Sequence, residues 1–182
     1  SAQMMLFAYI LNGNKPMPMT PFAERFAFSA MTITRAANQL VELGLLNKSN
    51  SVGAQKMLHT ELDTKQLYRK AAPHLIQPIR TTVFIEKSAV TRDMFPAGLS
   101  ALSDMSMLNP PEVETWGMAG GKMEGSCQKL IDTEKQCALQ LWRYDPRRIS
   151  QTDEIDALSL AASLADNTDE RVEQCIEEIL EK

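Results

Sequence analysis

Hydrophobic positions at the start of the chain recur at helical spacing, and clear stop signals separate one run from the next. The apolar run that ends at Leu11 predicts a first helix, which the Gly and Pro residues after it terminate. A second helix is predicted with Thr20 as its cap and Pro21 in the first helical position. The first helix is already under way at Ser1, which suggests an excised fragment with a region upstream.

The third predicted helix, residues 29–44, has two different faces. Ser29 is expected to cap its first turn, and Ile33, Ala37 and Leu40 recur at the spacing of a buried face. A helix that served only to fill a core would need no polar residues on its other side. That side nevertheless carries a mostly polar set, namely Met31, Thr32, Thr34, Arg35 and Asn38.

A pair of short strands is predicted to follow, over residues 45–62. Apolar and polar residues alternate on both sides of the segment NSVG, which is typical of a two-stranded hairpin with its turn near Ser51. Asp63 then begins a further helix, which Pro73 and Pro78 interrupt. The predicted order is therefore three helices, a hairpin and a helix.

The second half of the chain mixes strand-like and helix-like segments. TTVFI, VETWGM and CALQLWRY are predicted strands, PAGLSALSDMSML is a predicted helix, and EIDALSLAASLADN is a predicted helix capped by Asp153. Residues 1–85 carry nine Lys or Arg and four Asp or Glu, a net +5, whereas residues 86–182 carry ten and nineteen, a net −9. We therefore expect two domains, 1–85 and 86–182, of which the first suits a polyanion.

One stretch carries a family resemblance. TPFAERFAFSAMTITRAANQLVELGLLNK, followed by a hairpin and TELDTKQLYRKAAPHL, resembles the MarR group of bacterial transcription regulators, including a recognition helix of the form SxxTxxRxxxxLxxxGLL. The resemblance covers roughly residues 3–80 and implies an α+β protein with an N-terminal winged helix-turn-helix domain. MarR proteins usually consist of one domain, whereas this chain adds a small acidic α+β domain. The resemblance also implies a cytoplasmic, dimeric DNA-binding regulator.

The third helix and the hairpin supply the predicted DNA contacts. The first turns of a recognition helix approach base edges in the major groove, and the free N–H groups beyond Ser29 suit a backbone phosphate. Arg35 can read a guanine or clamp a phosphate, and Asn38 can pair with adenine. The predicted contact residues are Ser29, Met31, Thr32, Thr34, Arg35 and Asn38 on the helix, and Lys48, Asn50, Ser51 and Lys56 on the hairpin, a basic wing.

These residues also have plainer interpretations. Arg35 could be a surface charge that pairs with Glu42 or Glu24, and the thioether of Met31 fits packing better than base readout. Five others could be ordinary solvated surface residues, namely Thr32, Thr34, Asn38, Lys48 and Lys56. We nevertheless favour DNA contact, because the cationic half and the order of elements point the same way.

No catalytic, metal or cofactor motif is recognisable in the sequence. The segment WGMAGGKMEGS departs from the phosphate-loop pattern, since Trp116 replaces its first Gly and Met123 its Ser or Thr. The two histidines, His59 and His74, lack Cys or carboxylate neighbours at ligand spacing. The three cysteines are typical of free thiols in a reducing cytoplasm. No apolar run approaches the roughly 18 residues of a membrane-spanning helix.

The sequence thus predicts a non-enzymatic, sequence-specific DNA-binding protein that regulates transcription. Because one monomer neutralises few phosphates, we expect a homodimer on two half-sites. The C-terminal half is expected to dimerise, sense a signal or hold a partner protein; within it, Arg143, Arg147 and Arg148 are expected to pair with the acidic tail rather than with phosphate. An alternative stays open, a winged-helix protein-interaction module such as an antitoxin-like protein that holds another protein.

Overall fold

The chain folds into two compact units. The computed structural model describes residues 1–50, 56–121 and 123–180, and it is a mixed α+β protein, as expected. The units divide between Ile76 and Gln77, earlier than the boundary predicted after residue 85. The reason is the strand Ile79–Glu86, which pairs with Gln136–Trp142 and so belongs to the second unit. No helix in the three described ranges is long and apolar enough to cross a membrane.

The first unit, residues 1–76, combines helices with a small antiparallel sheet. In chain order its described elements are α1 (Ala2–Leu11), β1 (Met17–Pro18), α2 (Thr20–Phe26), α3 (Ala30–Glu42), β2 (Asn47–Asn50), β3 (Lys56–His59), α4 (Thr64–Ala71) and a 3₁₀ turn at Ala72–His74. The sheet has the order β1-β3-β2. The two strands of the predicted hairpin are confirmed, whereas its turn near Ser51 lies outside the described residues.

Helix α1 forms the centre of this unit. Residues 3–10 are all buried, as expected for a helix that is hydrophobic on every side. Gln3 is a polar member of this set, and both ends of its side-chain amide are used. Its Nε2 donates to the carbonyl of Ile76 (3.1 Å), and its Oε1 accepts from the N–H of Ile76 (2.8 Å). The beginning and end of the first unit are therefore joined by two hydrogen bonds.

The start of α2 differs from the prediction. Its N-cap is Met19 rather than Thr20, so Thr20 is the first helical residue. The cause is strand β1, which the sequence pattern did not reveal. Pro18 lies opposite Met57 in β3, and the N–H of Met19 donates to the carbonyl of Lys56 (3.3 Å). Pairing with β3 thus carries the chain straight from the sheet into the helix.

The second unit, residues 77–182, is built on a four-stranded sheet. Its described elements are β4 (Ile79–Glu86), a 3₁₀ turn at Lys87–Ala89, β5 (Phe95–Pro96), α5 (Gly98–Met105), β6 (Thr115–Ala119), β7 (Gln136–Trp142), α6 (Arg147–Ser150), α7 (Ala157–Ser163) and α8 (Glu170–Leu180). The strand order is β4-β7-β6-β5, with β6 and β7 parallel and the other pairs antiparallel. The three predicted strands and the helix after residue 97 are therefore confirmed.

Two apolar clusters hold this unit together. One joins strand residues such as Phe95 and Trp142 to apolar residues of α5, α7 and α8. The other contains Val83 of β4 with Leu139 and Leu141 of β7. Successive residues of a strand point to opposite faces of its sheet, and Leu141 and Trp142 accordingly belong to different clusters. Both faces of the sheet are therefore buried.

Two expectations for polar residues of the second unit are wrong. Helix α7 is capped by Asp156 and not by Asp153, since the Oδ1 atom of Asp156 accepts the N–H of Ser159 (2.8 Å). Arg147 pairs with Asp145 two residues away, through Nε and Nη2 at 2.9 Å each, and not with the acidic tail. In both cases a local partner lies closer than the one that the sequence pattern favoured.

Candidate nucleic-acid interface

A short turn fixes the start of α3. Ala27 ends α2 in the left-handed conformation (φ 53°), and the N–H of Phe28 donates back to the carbonyl of Ala23 (3.0 Å). Ser29 is extended, and its Oγ accepts the N–H of Thr32 (3.2 Å), so the predicted cap is confirmed. The direction of α3 relative to α2 is therefore determined within these few residues.

Helix α3 separates a buried face from an exposed one. The buried residues are Ile33, Ala36, Ala37 and Leu40. The exposed residues form what we call the outer stripe, which consists of Met31, Thr34, Arg35, Asn38, Gln39 and Glu42. Thr32 lies beside the stripe and is half-buried. The helical spacing predicted from sequence thus places four of the predicted helix contacts, Met31, Thr34, Arg35 and Asn38, on one open surface.

Several polar groups here are already hydrogen-bonded within the protein. The hydroxyl of Thr32 lies 3.0 Å from that of Ser29, and the hydroxyl of Thr34 donates to the carbonyl of Ala30 (2.9 Å). The Oδ1 atom of Asn38 accepts from Nζ of Lys48 in β2. These bonds favour the plainer, structural interpretation for the hydroxyl groups, although the methyl groups of both threonines take no part in them.

Arg35 is different from these neighbours. No described residue forms a hydrogen bond or an ion pair with it, so the alternative pairing with Glu24 or Glu42 is not found in the described part of the chain. Its guanidinium is exposed near the middle of the outer stripe. A planar cation with five unused donors is the group best suited to a carboxylate, a phosphate or a guanine edge.

The hairpin places two lysines beside the outer stripe. Lys48 lies opposite Leu58, and directly opposed residues of an antiparallel pair point to the same face of the sheet. Lys56 precedes Leu58 by two residues and therefore shares that face. Leu58 is fully buried, whereas Lys56 is exposed, so this face passes from core to surface along β3. The hydrogen bond from Lys48 to Asn38 fixes this surface against α3.

The two lysines raise the local positive potential. Partial burial lowers the pKa of Lys48 below its ordinary value, and the nearby charge of Lys56 lowers it further. A folded state that depresses the pKa of a lysine disfavours its charged form. An anion close to both ammonium groups would offset the repulsion between them, so the pair is suited to a phosphate.

The remaining predicted contacts fall into two groups. The structure describes the backbone of Asn50, which lies opposite Lys56 at the end of β2. Ser51 lies outside the described residues. Met31 is a predicted contact for which packing was the alternative interpretation, and 63% of its surface is exposed in the first turn of α3, which does not support packing.

Sequence reasoning missed two residues of this region. Gln39 follows Arg35 by one helical turn and is exposed on the outer stripe; the same periodicity that located Arg35 would have found it. Lys70 of α4 donates from Nζ to the carbonyl of Gly44 (2.6 Å), just beyond the end of α3. No local signal joins Lys70 to that helix, since α4 is brought there by tertiary packing.

Clusters of three metal-ligating side chains do not occur among the described residues. The interface consists instead of a helix stripe, one unpaired arginine and a lysine pair on a hairpin. No family model matches the chain, and neither does any of the curated proteins or solved structures with which it was compared.

Proposed function

We propose that this chain binds double-stranded DNA in a sequence-specific manner and regulates transcription. In this proposal the first unit is a winged helix-turn-helix domain of MarR type, and α3 enters the major groove. Support comes from the order α1-β1-α2-α3-β2-β3-α4 and from the sheet order β1-β3-β2, in which the two-stranded wing follows the helix that would read the DNA. An α-helix fits the width of the B-form major groove.

The observation that carries the proposal is the unpaired Arg35 at the middle of an exposed helix face, with the Lys48–Lys56 pair beside it. If this helix face merely met solvent, Arg35 would be expected to pair with Glu24 or Glu42. It forms an ion pair with neither of them. The lysines would contact backbone phosphates and fix the register, while Arg35 would read a base edge.

Charge assigns different roles to the two units. Residues 1–76 carry eight Lys or Arg and four Asp or Glu, a net +4, whereas residues 77–182 carry eleven and nineteen, a net −8. Phosphate attracts the first unit and repels the second, so DNA binding belongs to the first. The second unit would form the homodimer or hold a partner protein, because two first units are needed to neutralise enough phosphates for tight binding.

The test is binding to a duplex recovered by selection from a random pool. Arg35→Ala is expected to cost about 1–3 kcal/mol of binding free energy and to relax preference at one base pair. The matched control is Arg69→Ala, since Arg69 is also exposed but lies on α4 and not on α3. Equal losses in both variants would remove Arg35 from the readout.

Salt dependence tests the wing separately. If both lysines contact phosphates, the double variant Lys48→Gln with Lys56→Gln should reduce the slope of log K against log salt by about 2, since each phosphate contact contributes about 0.9. A slope equal to that of the wild-type chain would contradict the proposed wing contacts. If no duplex is retained at low salt while a protein co-purifies, the chain is an interaction module and the DNA proposal fails.

A further inference from the structure

Among the large apolar side chains of the first unit, Met31 has an unusual position. Helices α1 to α4 bury most of their large apolar residues, yet 63% of the surface of Met31 is exposed. Leu11 and Ile76 are also exposed, but they lie at the end of α1 and beyond the end of α4. Met31 instead lies in the first turn of α3, one helical turn before Arg35 and on the same stripe.

The hydrogen bonds around α3 limit the kinds of chemical group that the outer stripe can recognise. The hydroxyls of Thr32 and Thr34 and the amide oxygen of Asn38 already have partners within the protein. On the side of Arg35 towards the start of α3, the stripe therefore offers a mainly apolar surface, made by the flexible thioether side chain of Met31 and the methyl group of Thr34. The exposed polar residues Gln39 and Glu42 lie on the other side of Arg35. An apolar surface contacts another apolar group more favourably than a hydrogen-bonding one.

The floor of the major groove presents one apolar group, the 5-methyl of thymine. From the exposed position of Met31 beside an unpaired arginine we infer that Met31 is a specificity-determining residue, which contacts the 5-methyl group of a thymine next to the base read by Arg35. This inference rests on the proposed DNA-binding function and names the chemical group that the first turn of α3 recognises. Charge complementarity favours DNA over a protein partner, since Arg35 lies within the stripe and Lys48 and Lys56 lie on the hairpin beside it.

Deoxyuridine provides a test at the level of one methyl group. Each thymine of the selected duplex is replaced in turn by deoxyuridine, and dissociation constants are measured for the wild-type chain and for Met31→Ala. One replacement should weaken wild-type binding about fourfold, the factor that burial of a single methyl group gives. The same replacement should leave binding by Met31→Ala unchanged, because its contacting side chain is gone.

Two control variants distinguish the contribution of Met31 from that of other apolar groups. Thr34→Ser removes the other methyl group of the stripe and should keep the deoxyuridine effect, as should Leu11→Ala, which truncates an exposed apolar residue outside α3. Circular dichroism checks that Met31→Ala is folded, as expected for an exposed position.

The outcomes distinguish the inference from the function on which it rests. Failure of the wild-type chain to retain any duplex overturns the proposed function itself. Specific binding that no deoxyuridine replacement weakens, or a replacement that weakens wild type and Met31→Ala equally, overturns the role of Met31 and leaves DNA binding intact. Loss of the deoxyuridine effect in Thr34→Ser but not in Met31→Ala assigns the contact to Thr34 and refutes the inference.

Discussion

Asp156 makes the stability of the second unit depend on pH. The residue is 3% exposed. Its Oδ1 caps α7 by accepting the N–H of Ser159, while the buried Oδ2 has no partner among the described residues. Burial raises the pKa of Asp156 from 3.8 to about 6, against the opposing effect of its hydrogen bonds to Ser159 and nearby backbone N–H groups. A raised carboxyl pKa means that folding favours the protonated form.

The sign of the effect follows from proton binding. Between about pH 4 and pH 6 the folded state holds more protons on Asp156 than the unfolded state does, so the free energy of unfolding falls as the pH rises. Above about pH 7 the loss is complete. A rise of the pKa from 3.8 to about 6 corresponds to roughly 3 kcal/mol. Asp156→Asn keeps the capping oxygen but cannot ionise, so this pH-dependent loss should disappear in the variant.

Urea unfolding followed by tryptophan fluorescence measures the free energy of unfolding of the second unit, since both tryptophans, Trp116 and Trp142, lie in that unit. From about pH 4 to about pH 7, the free energy of unfolding of Asp156→Asn should gain about 2 kcal/mol relative to wild type, since part of the difference already develops below pH 4. Asp153→Asn, a nearby exposed acid, serves as the control and should follow the wild-type curve. Parallel pH profiles for wild type and Asp156→Asn would refute the burial of an ionised Asp156.

Two further substitutions test the packing of each unit. Gln3→Leu removes both hydrogen bonds to Ile76 and should destabilise the first unit by about 1–3 kcal/mol; hydrogen exchange in α1 measures this, and unchanged protection of its amides would contradict it. In the second unit a Cβ added at Gly117 would lie 2.3 Å from Cε2 of Phe95, whose ring is buried and meets that of Trp142 edge-on. Gly117→Ala should therefore cost about 1–3 kcal/mol or more in the fluorescence assay, and a loss below 0.5 kcal/mol would show that the ring moves aside freely.

Much of the proposed interface could be predicted from sequence because its determinants are local. The 3.6-residue period places Ile33, Ala37 and Leu40 on one side of α3 and Arg35 on the other. The Ser29 cap depends on a bond to Thr32, three residues away. The same period places Met31 on the outer side of α3, where the structure exposes it.

Other features depended on residues that are distant in the chain. Strand β1 has two residues and one of them is proline, so it carries no alternating pattern; its pairing with β3 moved the cap of α2 from Thr20 to Met19. The units divide before TTVFI, whereas the predicted boundary lies after it, although the sequence pattern groups this strand with the second half. Its pairing with β7 places it in the second unit.

By itself, then, the sequence determined most of the longer helices and strands, that the chain is an α+β protein, and that α3 has a polar face carrying Arg35. These follow from hydrophobic periodicity and capping, which act over a few residues. The tertiary structure decided that Lys48 bonds Asn38, that Lys70 meets the end of α3, and that Asp156 rather than Asp153 is buried. Each of these depends on which groups packing brings together and which it removes from water, and short-range pattern in a sequence does not encode that.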